Sequence, residues 1–414
     1  MINYAYLDID YDPTFSDPIL EYLSYSLAKY GMSLDNFSGM AFSLDNVKNF
    51  LSICPNSLVF VKLSTSFDKN EQLKKYLCEC FDTFLTKNTA NKFAIESYLR
   101  LCQSDIANAQ DFEKESLIPD GAEPLNSDMG FVQGYMLNYK SYNFCFLPPK
   151  IEQVKDIVNN RLPSIFARLY KTPTEFINLK TFGLNREQIM QQIKPFVNNS
   201  LGVSINIAEK YTDALISIGY DSHASESEVN NFVSQICETL RKHLYATEDS
   251  DIFTIALDMM RLTGKKLALV ESLTMGTCFG EFANVSNGKI NDSIGYFKII
   301  NNISDLIDCK GVDRDIVSTK GLYSVDSTYE ISTAVINETG CDLVLSSLAE
   351  YNETSEQAIA YLAVGDQDGI HIYKQTIKGD KSVIGKLVAH NMCFYLIRKL
   401  KQNDLIFDQT LANM

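Results

Sequence analysis

Short apolar runs of strand type alternate with amphipathic helical stretches along this 414-residue chain. No other feature constrains its fold as much. SLVFVKLS (57–64) reads as a buried strand, and NEQLKKYLCECFDTFLTK (70–87) as the helix after it. YNFCFLPP (142–149) is a second buried run, ended by two prolines that cannot continue a ladder, and KIEQVKDIVNNRLPSIFARL supplies a further helix. Upstream, DPILEYLSYSLAKYG (17–31) places Ile19, Leu20, Leu23, Leu27 and Ala28 on one helical face and stops at Gly31. Strand and helix in alternation predict an α/β sheet with parallel strands.

The chain is too long for one ordinary domain. Residues 1–165 form the first expected unit. Residues 166–245 differ: a strand-like INLKTFGL, a short helix REQIMQQIKPF, the alternating YTDALISIGYDS and the helix EVNNFVSQICETLRKHL predict a small α+β connector. Residues 246–405 open with a helix, EDSDIFTIALDMMRLTG (248–264), with acidic residues and Ser250 at its start and Gly264 past its end. KLALVES is the first strand of this unit and CDLVLSSLA (341–349) its central one. AIAYLAVG and GIHIYKQTI make a hairpin, SVIGKLVAHNMCFYLIRKL (382–400) is the last helix, and the tail KQNDLIFDQTLANM is expected at the surface. The predicted fold class is thus two α/β domains joined by a small α+β domain.

Charge narrows the partners. Asp and Glu outnumber Lys and Arg by 52 to 37, for a net charge of −15. Such a surface repels phosphate backbones and anionic lipid, so neither nucleic acid nor a membrane is an expected partner. MINYAYLDIDYDP has neither the basic nor the apolar region of a signal peptide, and no apolar run approaches the ~18 residues that span a bilayer. Ten cysteines lie scattered without a C-x-x-C pair. Cys78 and Cys80 point apart if helical, so neither a metal site nor a disulfide is expected of them. Dispersed thiols fit a reducing cytoplasm, which is the expected location. The four histidines, at 223, 243, 371 and 390, never approach metal-ligand spacing.

Four polar clusters in the third unit are candidate chemistry. In LALVESLTMGTCFGEF (267–282), Glu271, Ser272, Thr274 and Gly276 lie where a strand feeds a helix N-terminus, a natural anion or carbonyl site. Ser346 and Ser347 end the predicted central strand, and ends of parallel strands are where α/β folds bind ligands. Asn301 and Asn302 follow YFKII, and Asp380 and Lys381 precede the last helix. From the residues alone each cluster reads first as capping or turn chemistry. Ser272 stands where a nucleophile or a cap is found, and the expected role is a cap that accepts from an N–H two or three residues on. No complete P-loop, G-x-G-x-x-G, G-x-S-x-G or H-E-x-x-H occurs.

The order LALVESLTMG, DSIGYFKIINN, KGLYSVDSTYEIS, LVLSSLAEYNETSEQAIAYLAVG and IKGDKSVIGKLVAHNMCFYL resembles the C-terminal domain of the competence- and damage-inducible CinA family. In that family this domain is a nicotinamide mononucleotide deamidase. ESLIPDGAEPLNSDMGFVQGYML with YNFCFLPPKIEQVKDIVNNRLP is similar to the family's N-terminal molybdopterin-binding-like domain, and TFGLNREQIMQQI to the start of its middle domain. The resemblance implies a homodimer, a nucleotide ligand, Ser272 and Thr274 as catalytic residues, and Glu271, Gly276, Asn301, Ser346, Ser347 and Lys381 around the ligand. It also implies a divalent metal and ADP-ribose hydrolysis in the N-terminal domain, with Asp68 and Glu71 as what remains of the metal ligands.

The motifs depart from the family at many of these positions. Its E-S-x-T-G-G reads Glu271-Ser272-Leu273-Thr274-Met275-Gly276 here. Its Y-S-N-x-x-K, whose lysine and tyrosine help activate the serine, keeps only Asn301. Lys298 could replace that base only from the opposite face of its strand, since it alternates with Phe297. T-G-I-A-G-P has become Ser346-Ser347-Leu348-Ala349-Glu350-Tyr351, which puts a carboxylate where a phosphate or ribose is handled. After Gly379-Asp380-Lys381, Gly385 stands where an arginine would help. In the N-terminal domain the glycine loop reads Leu63-Ser64-Thr65-Ser66-Phe67, and the paired aspartates read Asn70 and Glu71. G-T-A-P-G reads Gly130-Phe131-Val132-Gln133-Gly134, and L-P-G-P-P reads Leu147-Pro148-Pro149. One carboxylate plus Asp68 is a weak set for a hard cation. The expected function is therefore a binding or scaffolding protein with impaired sites. The alternatives are an active deamidase that uses Ser272 and a residual ADP-ribose pyrophosphatase.

Overall fold

The structure is a computed structural model that describes residues 3–8, 17–39, 43–53, 57–102, 109–139, 142–170, 173, 175–197, 202–220, 224–286 and 288–402. His223 and the tail from residue 403 onward lie outside the described residues. The chain divides into two compact units. The first comprises Met1–Phe176, Gly202–Ala208 and Ser217–His223; the second comprises Ile177–Leu201, Glu209–Ile216 and Ala224–Met414.

In the first unit the strands are β1 (Asn3–Asp8), β2 (Leu34–Gly39), β3 (Ser57–Lys62), β4 (Leu85–Lys87), β5 (Leu117–Pro119), β6 (Glu123–Leu125), β7 (Gly134–Tyr139) and β8 (Tyr142–Leu147). Six of them form one sheet in the order β2-β1-β3-β8-β7-β6. The pairs β2-β1, β1-β3 and β3-β8 are parallel, as the alternation predicts. The other edge is antiparallel. Two residues separate β7 from β8, far short of the dozen or so that a parallel crossover needs.

Helix α1 (Pro18–Ala28) starts on Asp17, whose carboxylate accepts from the Ile19 and Leu20 N–H groups. Helix α2 (Phe67–Phe81) stops earlier than its sequence pattern suggests. Asp82 takes a left-handed conformation there (φ 49°), and the chain goes on to β4. The stretch after β8 is two helices, α3 (Ile151–Asn160) and Leu162–Tyr170, with Pro163 in the first turn of the second. Leu58 and Phe60 pack on one side of the sheet with Leu23 and Ile157, and Val59 and Val61 on the other with Leu73 and Leu77. Burial on both faces explains the unbroken apolar run of β3.

Residues 175–246 contribute β9 (Glu175–Phe182), β10 (Val203–Lys210), β11 (Asp213–Tyr220) and β12 (Leu244–Ala246), ordered β10-β11-β9-β12. Between them lie the helices Arg186–Ile193, with an Asn185–Gln188 capping box, and Glu226–Thr239.

The second unit continues with α4 (Ile252–Thr263), β13 (Leu267–Glu271), α5 (Thr277–Val285), β14 (Ile294–Ile299), α6 (Val325–Thr339), β15 (Leu343–Asn352), β16 (Gln357–Asp366), β17 (Gly369–Lys378) and α7 (Ile384–Gln402). Its sheet runs β14-β13-β15-β16-β17, the first three parallel and the last two antiparallel. Asp251, rather than Ser250, caps α4, and Gly264 ends it at φ 65°. Leu267 and Leu269 face the core of α4 and α7, whereas Ala268 and Val270 face that of α6. The pairing of β13 with β15 ends at Val270 and Ser346, but β15 continues for six more residues beside β16. Its unpaired edge overhangs the end of β13. No described helix is long and apolar enough to cross a membrane.

Candidate functional site

The strand-to-helix turn after β13 is built around Glu271, whose side chain is fully buried. Its Oε2 accepts from the Gly276 N–H at 3.1 Å and the Cys278 N–H at 3.2 Å, and its Oε1 from the Phe279 N–H at 2.8 Å. A carboxylate set against the first turn of α5 satisfies donors that have no partner within the helix and complements its positive end. Glu271 therefore does the capping, and the cap expected of Ser272 is a misreading. The Ser272 Oγ instead accepts from the Ala349 N–H at 2.9 Å, 77 positions along the chain. That N–H lies on the overhanging edge of β15, where β13 no longer supplies a partner. Among the described residues this is the bond that the Ser272 hydroxyl makes.

Met275 and Gly276 complete the turn in left-handed conformations, at φ 49° and 90°. Glycine adopts such a backbone freely, whereas methionine is strained in it. Met275 is also 63% exposed. Thr274 is only 2% exposed, and its Oγ1 finds no partner among the described residues.

Ser272, Thr274 and Met275 line a cleft of about 820 Å³ together with Asn301, Tyr323, Ala349, Glu350, Tyr351, Glu353 and Lys381. Asn301 donates its N–H to Asp305 Oδ2 at 2.8 Å, and Asn302 caps the short helix after it. Lys381 lies 2.7 Å from Glu353. The hydrogen bond between them lowers the Glu353 carboxyl and raises the Lys381 ammonium. Bonds from Ser382 hold the Asp380 carboxyl low. The Tyr351 hydroxyl donates to the Gly379 carbonyl at 3.2 Å. Burial, and after it the Glu350 charge, pushes the Tyr323 phenol up.

The structure brings Ser272, Thr274, Asn301 and Lys381 together and leaves two other candidates out. Ser346 and Ser347 do not end β15; they sit inside it, fully buried and away from the cleft. Ser346 Oγ shares a hydrogen bond with Ser332 Oγ on α6, while Ser347 Oγ has no partner among the described residues. The strand's later residues, Ala349 to Tyr351, reach the cleft instead. Gly276 acts on the turn rather than on the cleft wall. Lys298 donates to Cys309 Sγ at 3.0 Å on the side away from Phe297, which stacks on Phe279. Tyr323 was not foreseen, since nothing in its local sequence marks it.

In the first unit the two carboxylates expected near a metal are already engaged. Lys114 lies 2.7 Å from Asp68 and 3.5 Å from Glu71, and Lys75 lies 2.6 Å from Glu71. These hydrogen-bonded ammonium groups hold both carboxyls below their usual range. A divalent cation does not fit beside Lys114, and no cluster of three or more metal-ligating side chains occurs among the described residues. The loop after β3 is closed by buried Asn70, which accepts from the Ser64 N–H and donates to the Ser64 carbonyl, both at 2.9 Å. Gln133 does the same for Ser127, and also donates to the Gly130 carbonyl at 2.8 Å. A Cβ at Gly134 would lie 2.8 Å from the Phe146 carbonyl oxygen, so that glycine answers to strand packing.

No family model matches the chain. It is 21% identical over 283 residues to a protein of Caldanaerobacter subterraneus described as competence-damage inducible, spanning 67% of this chain and 63% of that one. A protein of the same description from Caldicellulosiruptor saccharolyticus is 19% identical over 92% of this chain and 93% of its own length. A CinA-like protein of Kosmotoga olearia is 20% identical over 79% of each. Among solved structures, a CinA superfamily protein from Klebsiella pneumoniae covers 36% of this chain and 96% of its own, at 14% identity and a TM-score of 0.33. A molybdopterin biosynthesis protein from Mycobacterium abscessus covers 41% and 96%, at 13% identity and a TM-score of 0.27.

Proposed function

We propose, from the likeness of the chain to competence-damage inducible and CinA-like proteins, that it is a binding protein of the CinA family whose C-terminal cleft holds a small ligand, nucleotide or otherwise, without hydrolysing it. One observation carries the reading: the Ser272 Oγ accepts from the Ala349 N–H, and no base among the described residues is hydrogen-bonded to it. A serine hydroxyl without a base is a weak nucleophile at neutral pH. In the first unit Asn70 and Gln133 tie their own loops and Lys114 pairs with Asp68, which supports a loss of phosphate and metal binding there. We place the protein in the cytoplasm as a homodimer, and light scattering that finds a monomer at micromolar concentration removes the dimer.

A second reading, deamidation of nicotinamide mononucleotide, is favoured by Ser272 and Thr274 still lining one cleft. Turnover separates the two. Purified protein should release no ammonia from nicotinamide mononucleotide, and no AMP from ADP-ribose with magnesium, above a denatured control. Ammonia release that Ser272→Ala abolishes overturns the first part. AMP production that Glu71→Gln abolishes restores a pyrophosphatase.

A further inference from the structure

The cleft beside Ser272 is poorly furnished for an anion. Helix α5 ends there, and a helix N-terminus is the usual place for a phosphate. Its N–H groups at Gly276, Cys278 and Phe279 are already taken by the Glu271 carboxylate, an anion supplied by the chain itself. Lysine side chains on the wall are engaged as well. Lys381 is paired with Glu353 at 2.7 Å, and the Lys386 ammonium lies 5.9 Å from the centre of the Tyr211 ring.

Thr274 and Glu350, both lining residues, have no side-chain partner in the protein among the described residues. Thr274 Oγ1 is buried on the cleft wall without a partner among the described residues, and such a group costs free energy until something bonds to it. The Glu350 carboxylate is exposed on the same wall, and no described cation pairs with it. Tyr323 offers an aromatic ring, which attracts a cation, and Met275 an exposed thioether, which favours contact with a flat aromatic group.

Building on the reading of this cleft as a ligand site, we propose that it selects a small, flat, positively charged molecule, with the charge at Glu350 and a polar group at Thr274 Oγ1. Phosphate-bearing ligands are disfavoured because the helix end that would hold them is filled and the open charge is negative.

An isosteric series isolates the charge: benzamidinium, benzamide and benzoate are nearly the same shape and differ by one unit of charge at each step. Titration calorimetry at neutral pH should rank them in that order, with benzamidinium about tenfold tighter than benzamide, or about 1.4 kcal/mol. Glu350→Gln, at an exposed position, should fold normally and close that gap. Thr274→Val should weaken benzamidinium and benzamide alike. If benzoate binds as tightly as benzamidinium, or Glu350→Gln leaves the ranking intact, the charge selection is wrong while the cleft stands as a ligand site. If none of the three binds at about 10 mM, both this selection and the reading beneath it fall.

Discussion

Two strand-to-helix turns occupy matching places in the two units, one after β3 and one after β13. Each follows a central parallel strand, where open α/β sheets place ligands. They are held in opposite ways. In the first unit the turn from Ser64 to Asn70 is tied across by a side-chain amide that serves both backbone groups of Ser64. In the second, the turn from Glu271 to Gly276 is held from behind by a buried carboxylate, and the front opens on a cleft of about 820 Å³. Buried backbone donors and acceptors must find partners. Both turns find them within the chain, the first from Asn70 and the second from Glu271, and the second alone of the two also leaves a cleft in front.

The sharpest way to break the comparison is at Glu271. Glu271→Ala leaves three N–H groups of α5 without their acceptor and should cost about 4 kcal/mol in urea unfolding. A loss under about 1 kcal/mol would mean that the turn is held elsewhere, since that is the ordinary weight of a single bond.

Asn70 comes next. Asn70→Ala should cost about 2 kcal/mol, because two buried backbone groups of Ser64 lose their partner. Asn70→Asp should also destabilise, since a carboxylate cannot donate to the Ser64 carbonyl. It should leave magnesium unbound by calorimetry, given that Lys114 already pairs with Asp68 and Glu71. Magnesium binding by Asn70→Asp would show that the first turn is a ligand site one residue from recovery, and the contrast would fail.

How far the sequence reveals these turns depends on the range of the bonds. The buried apolar runs of β3, β13 and β15 were legible because both faces of their sheets are covered. The length of β15 was not: Glu350, Tyr351 and Asn352 lie beyond the expected strand 341–349, yet they pair with β16 out to Gln357. Ser346 and Ser347 looked like a strand end because they are polar, but the partner that lets Ser346 stay inside is Ser332 on a neighbouring helix. The capping rule looks two or three residues ahead, whereas Glu271 reaches five to eight. The Ser272 bond spans 77 positions and leaves no local trace. Asn70 was read only as a lost aspartate; its work as a tie depends on where the chain returns.

The smallest effect sharpens the comparison at Met275. Because its backbone is left-handed at φ 49°, Met275→Gly should relieve strain of about 1 kcal/mol and raise the thermal midpoint. A lower midpoint would mean that the exposed side chain holds the turn in place.

The central claim is that Ser272 is a structural acceptor and no longer a nucleophile, and this can be tested without knowing any substrate. Wild-type protein and Ser272→Ala are incubated with phenylmethylsulfonyl fluoride, and the intact mass of each is read. The account predicts that neither gains an adduct, because the Ser272 hydroxyl is held by the Ala349 N–H and no base among the described residues is bonded to it to take its proton. A single adduct on the wild type that is missing from Ser272→Ala would contradict it.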